Sequence, residues 1–194
     1  MKTKALILLL AVLFVGMGLT AQSPFVVKTV KMTVDGTSTM HKWEMAVNKV
    51  TAEGKLTMNG STLEGIQSLN VTVGAKSLKS THGKIMDDKT YEALKAEEYP
   101  NILFQLTEVE SITPAGTGFT VKAKGNLTIA GVKKPVSMQV SATVASNGYI
   151  TFKGSRKINM IDHGMTPPKA VMGTIKVGPE VNVNFEVTLA PTAI

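Results

Sequence analysis

Between Phe119 and Ile129 every second residue is apolar or small, and every residue between them is polar. Phe119, Val121, Ala123, Gly125, Leu127 and Ile129 alternate with Thr120, Lys122, Lys124, Asn126 and Thr128. A period of two sustained this long specifies a strand with one dry and one wet face. Val136, Met138, Val140, Ala142 and Val144 repeat it, against Ser137, Gln139, Ser141 and Thr143. The link Ala130-Gly131-Val132-Lys133-Lys134-Pro135 carries the glycine and proline of a loop. Two long neighbouring strands of this kind predict an antiparallel sheet curled around an apolar interior.

The same pattern recurs along the chain. Val30, Met32 and Val34 alternate with polar residues up to a break at Asp35-Gly36. Ser38 to Val47 reads as the next extended segment, with His41, Trp43, Met45 and Val47 on one face. Lys55–Met58 precedes a turn at Asn59-Gly60. Further strands are expected around Leu69–Val73, Ile102–Leu106, Ile150–Met160 and Val181–Leu189. One segment breaks the rule. Residues 87–98 read as a short helix with Asp87 or Asp88 at its start, Tyr91, Leu94 and Ile85 turned to the sheet, and Pro100 as its stop. Some eight or nine closely spaced strands imply an all-β barrel or sandwich.

The first residues stand apart. Lys2 and Lys4 precede an apolar run from Ala5 to Leu19, and Thr20-Ala21-Gln22 supplies a cleavage point. This is the layout of a secretory signal peptide over residues 1–21, and the run falls short of the ~20 residues a membrane span needs. One domain, 22–194, is expected to follow, exported to the periplasm of a bacterium or secreted. The chain has no cysteine, so it folds without disulfides and holds neither a thiolate metal site nor a thiol nucleophile. Its net charge of +7 is carried by lysines at wet strand positions and in loops, which reads as a solvated face rather than a nucleic-acid surface.

No pattern nominates catalysis. His41, His82 and His163 fall in distant segments, no His-Glu-x-x-His is present, and there is no nucleophile elbow or phosphate loop. No metal and no cofactor are expected. The single arginine, Arg156, falls on the dry face of its strand, where it either leans to water or meets a ligand head group. Lys79, Lys84 and Lys157 are further candidates for an anionic head group, against simple solvent exposure.

A strand of eleven residues spans about 35 Å, so a barrel of such strands is tall and narrow, either packed solid or holding one slim ligand. Ala123, Gly125, Ala142 and Gly154 on the inner face are small, which favours a long apolar tunnel. The inward set Phe104, Leu106, Val121, Ala123, Leu127, Met138, Val140 and Phe152 is expected to touch the ligand, with His41, Trp43 and Arg156 as contacts at the mouth or head group.

Several segments in order resemble the YceI-like family. They are Ser38-Thr39-Met40-His41-Lys42-Trp43, then Lys84 to Asp87 through Glu97-Glu98-Tyr99-Pro100-Asn101-Ile102-Leu103-Phe104, then Gly125 to Val136, and Lys157-Ile158-Asn159-Met160 to Gly178-Pro179-Glu180-Val181. Val34-Asp35-Gly36-Thr37-Ser38 stands where longer members carry an Asp-Pro-Ala-His-Ser type motif, which places the chain in a shorter branch. The resemblance implies an extended eight-stranded antiparallel β-barrel of lipocalin-like form, whose lumen takes a long isoprenoid or related lipid. The function expected on that basis is non-enzymatic carriage or storage of a quinone tail or polyprenyl chain. Transient contact with a membrane surface goes with it, nucleic acid does not, and a dimer is compatible with it. The alternatives are a solid-cored envelope stress or interaction module and a lipid-modifying enzyme.

Overall fold

The computed structural model describes residues 22–81 and 83–192, with the side chain of Gln22 excepted. The expected leader and His82 lie outside the described residues. In chain order the elements are β1 (Gln22–Ser38), β2 (Lys42–Val47), β3 (Val50–Asn59), β4 (Thr62–Gly74), β5 (Leu78–Ser80), α1 (Lys84–Ala93), β6 (Asn101–Ala115), β7 (Gly118–Ile129), β8 (Val132–Val144), β9 (Ile150–Asn159), β10 (Lys169–Ala170) and β11 (Ile175–Pro191). Eight of the strands close in the order β1-β3-β4-β6-β7-β8-β9-β11, and β11 pairs back to β1. Every pairing is antiparallel. Closure removes the edges of the main barrel strands except where β8 and β9 part, and leaves only the short strands β5 and β10 as terminal edges. The short strands β2, β5 and β10 extend the wall at one end, β2 along β1, β5 along β2 and β10 along the start of β11.

The alternation in β7 and β8 translates directly into the wall. Val121 opposes Val140, Ala123 opposes Met138 and Gly125 opposes Val136, and Val121, Ala123 and Val140 belong to the core. The connection is tighter than the expected six-residue loop. Ile129 already pairs with Val132, so only Ala130 and Gly131 turn the chain, both with positive φ (48° and 79°), as a two-residue hairpin requires. Pro135 therefore sits inside β8. It is tolerated because β9 pairs with β8 only from Ser141 to Val144, leaving the proline on an unpaired margin.

Three further expectations are corrected. Asp35-Gly36 is not a break but lies within β1, and the segment expected as one strand over 38–47 is a turn followed by β2. The Ser38 hydroxyl accepts the N–H groups of Met40 and His41, and the Ser38 N–H donates to the His41 carbonyl at 3.0 Å. This local bonding diverts the chain and pairs Gly36 with Trp43. The helix also begins earlier than expected, after Gly83 (φ 88°), because the Asp87 carboxylate is not its cap. Asp87 turns away to accept the Ser80 N–H at 2.8 Å and Lys79 Nζ at 3.1 Å. The helix ends at Ala93, where Lys95 adopts φ 51° and the Ala96 N–H reaches back to the Tyr91 carbonyl at 2.9 Å.

The interior has two parts. Toward the end that holds the β3–β4 and β6–β7 turns, Phe25, Leu56, Leu63, Val121, Ile150, Phe152 and Leu189 form a filled core. Toward the opposite end Met45, Val73, Leu78, Leu94, Ile129, Met160 and Met165 form a second cluster beneath α1. The long tunnel expected from small inward residues is therefore absent from the filled half. A Cβ on Gly125 would collide with the ring of Phe104, and one on Gly154 would meet Val140 and Phe185 within 3.0 Å. The room those glycines vacate is taken by larger neighbours, so the core stays close-packed.

Candidate functional site

Under α1 the barrel is hollow. A cavity of about 330 Å³ lies there, at the small end of the range for ligand sites. Its walls come from the ends of strands that converge at this rim. Val34 of β1, Trp43 and Met45 of β2, Ile102 of β6, Ile129 of β7, Ile158 of β9 and Val181 and Val183 of β11 all face it. The helix adds one face at helical spacing, Ile85, Met86, Lys89, Thr90, Ala93 and Leu94. The segment between β9 and β11 supplies Met165, Pro168, Lys169 and Ala170. Four methionines, Met45, Met86, Met160 and Met165, give the lining side chains that adapt their shape at little cost.

Polar groups are sparse in the wall, namely Ser38, His41, Lys89, Thr90 and Lys169, of which His41, Lys89 and Lys169 are exposed. Thr90 is spoken for, donating to the Met86 carbonyl at 2.9 Å and lying 3.3 Å from the Met45 sulfur. His41 Nδ1 is 2.7 Å from the Lys42 carbonyl. The Trp43 indole N–H donates to the Thr37 carbonyl at 3.2 Å, which turns the ring's apolar body toward the cavity. Such a lining offers chiefly the burial of apolar surface. Among the described residues no group of three or more His, Asp or Glu is placed to hold a metal.

The helix that roofs the cavity is held by a polar clamp. Lys79 Nζ donates to the Tyr91 hydroxyl at 2.6 Å and to Asp87, and the Tyr91 hydroxyl donates to the Leu78 carbonyl at 3.0 Å. The Ser80 N–H and then Lys79 hold the Asp87 carboxyl below its usual value, against the opposing pull of burial. Tyr91 and then Asp87 raise the Lys79 ammonium above its usual value.

The sequence-derived site residues divide. His41 and Trp43 line the cavity. The inward set does not. Val121, Ala123 and Phe152 are buried in the filled half, Leu106 and Val140 pack against it, and Leu127 packs against the second cluster. Phe104 covers Gly125, and Met138 faces Ala123 across the β7–β8 ladder. Arg156 is neither at a strand end nor at the rim. It sits mid-wall where β8 and β9 part, donating from Nη1 to the Ser137 carbonyl at 2.6 Å, with Nε buried and unpaired. Lys79 belongs to the clamp, and Lys84 pairs with Asp88. His163 is buried, its Nδ1 3.1 Å from the Val132 carbonyl. Among the lining residues that sequence reasoning passed over, Met86 comes from the helix, Met165 and Pro168 from a stretch without a period of two, and Ile175 and Val177 from the start of β11. The apolar character of Met165 and Ile175, flanked by turn residues, was the one available signal.

Known proteins share this architecture. A polyisoprenoid binding domain from Saccharophagus degradans superimposes with a TM-score of 0.67 at 9% identity, over 89% of this chain and 100% of that one. BcnA of Burkholderia cenocepacia gives 0.57 at 23% identity, over 82% and 95% of the two chains. The YCEI protein of Campylobacter jejuni gives 0.56 at 20% identity, over 76% and 84%. Likenesses this remote in sequence establish the fold. No curated protein matches the chain. Residues 21–189 match the profile of the YceI-like domain, which covers the whole barrel, and the chain therefore belongs to the YceI-like family.

Proposed function

We propose that this protein is an exported, non-enzymatic carrier or store for a long isoprenoid, such as a quinone tail or polyprenyl chain. The observation that carries the reading is the cavity itself: lined mostly by apolar side chains and roofed by a clamped helix. Each methylene moved from water into it gains about 0.8 kcal/mol, so a few isoprene units bind without a polar anchor. The family and its polyisoprenoid-binding relative support the same class of ligand. The basic start and apolar run of residues 1–21 support export. The hollow is confined to one half of the barrel, so the lipid is held by one end and not threaded through the molecule.

Organic extraction of the native protein, followed by mass spectrometry, tests the proposal. A stoichiometric long-chain isoprenoid in the extract is the expected result. A clean extract together with no quenching of Trp43 by added ubiquinone overturns it.

A further inference from the structure

Seven large apolar side chains are exposed among the described residues, and four of them crowd one place. Met40 (68% exposed) stands at the tip of the turn between Ser38 and His41, both of which line the cavity. Ile85 (78%) is itself a lining residue at the start of α1. Val171 (67%) and the fully exposed Met172 form a turn between the lining residues Ala170 and Ile175.

The rim that carries these side chains is braced. The Thr39 N–H donates to the Lys176 carbonyl at 3.0 Å, the Thr39 hydroxyl donates to the Thr174 carbonyl, and the Lys176 N–H returns a bond to that hydroxyl at 3.2 Å. The Met40 turn and the Val171–Met172 turn are thereby tied to each other. Val171 and Met172 both hold positive φ, 50° and 49°, a conformation that a β-branched residue rarely adopts. Strain of that kind persists where the surrounding structure enforces it, and here it lifts two apolar side chains into water.

Three lysines at the rim carry unmatched positive charge, against the one exposed carboxylate of Glu44 on β2. Lys42, Lys169 and Lys176 are exposed, and none makes an ion pair among the described residues. The carboxylates nearest on the helix, Asp88 and Glu92, are matched by Lys84 and Lys89. Apolar side chains at the centre with unmatched lysines around them are the composition of a surface that inserts at the boundary of head groups and acyl chains in an anionic bilayer.

We infer that Met40, Ile85, Val171 and Met172 dock the cavity mouth onto an anionic lipid bilayer, with Lys42, Lys169 and Lys176 against its phosphates. The inference rests on the lipid-binding reading above and names the donor or acceptor of the cargo: a membrane, reached through this face. A cargo as insoluble as a long isoprenoid leaves a bilayer most readily where the hollow opens straight onto it.

The test is flotation of the purified, cell-processed protein with vesicles of phosphatidylglycerol and phosphatidylethanolamine. It is run beside uptake of geranylgeraniol delivered from cyclodextrin and read by Trp43 emission. Co-flotation is expected. It should fall roughly tenfold in the variant Met40→Ser, Val171→Ser, Met172→Ser, and by a similar factor in Lys42→Gln, Lys176→Gln or without the anionic lipid. Uptake from cyclodextrin should persist in both variants, which also reports that they fold. Absence of co-flotation with uptake intact overturns docking and leaves the carrier reading standing. Absence of uptake overturns the carrier reading. Flotation that survives the serine variant places any membrane contact elsewhere and overturns the inference. So does a dimer in sedimentation that the serine variant converts to monomer, since a second copy then covers the face.

Discussion

The indole of Trp43 lies so close over Gly36 that a methyl group on the glycine would overlap its six-membered ring. The two residues are paired across β1 and β2, and the ring closes one side of the cavity. Glycine is needed at position 36 for this approach, not for its backbone freedom. Gly36→Ala should push the indole off its seat, shift its emission and cost about 1–3 kcal/mol by overpacking. Urea titration followed by fluorescence measures both. An unchanged spectrum and midpoint would mean that the ring does not rest there.

Filling the hollow should separate binding from stability. Ala93 lies on the helix face that lines the cavity, and leucine suits a helix almost as well as alanine does. Ala93→Leu should reduce isoprenoid uptake by roughly tenfold while changing stability by less than about 1 kcal/mol. The converse holds at Leu56, which is fully buried in the filled half. Leu56→Ala should cost about 2–5 kcal/mol and leave ligand stoichiometry unchanged.

Asp87 makes the roof sensitive to acid. Its carboxyl titrates below the ordinary value because the charged form accepts the Ser80 N–H and then Lys79. A depressed value in the folded state gives stability that is complete above about pH 4, the unfolded value, and is lost as pH falls through the folded one. Urea midpoints measured downward from pH 5 should decline in the wild type. Asp87→Asn should be less stable at neutral pH by about 1–3 kcal/mol and show a shallower acid decline. Equal slopes in the two proteins would remove Asp87 as the cause.

Arg156 should prove structural. Its guanidinium spans the place where β8 and β9 separate, and no cavity-lining residue contacts it through a hydrogen bond. Arg156→Met removes that tie, leaves the Ser137 carbonyl without its partner and should cost about 1–3 kcal/mol, with isoprenoid affinity unaltered. Loss of affinity in a folded variant would return this arginine to the ligand.

The strands were readable because a period of two leaves a strong imprint wherever one face is wet. Val121, Ala123, Val140, Ala142 and Val144 fell in or against the filled core, and Leu127 and Ile129 in or against the second cluster, as their alternation required. Local hydrogen bonding was harder to read. Ser38 makes a turn with its own hydroxyl, and the Asp87 side chain turns from its helix to Ser80, and neither choice alters the pattern of apolar residues. The location of the hollow was not readable at all. Small residues at positions 125 and 154 suggested vacancy there, yet Phe104, Val140 and Phe185 arrive from other strands to occupy it. Volume inside a barrel is set by sums across the ring, and a sequence lists one strand at a time. The roof and the stretch around Met165 and Pro168 follow no strand period, so the residues that shape the site were the least visible.

The solid base of the barrel has a mechanical result. A guest longer than the hollow must trail out of the opening, with the protein seated on its tip as a ferrule sits on a cord. Such a grip lets go by a short withdrawal instead of dragging the whole length through a pipe. It also makes the fit indifferent to how long the remaining tail happens to be.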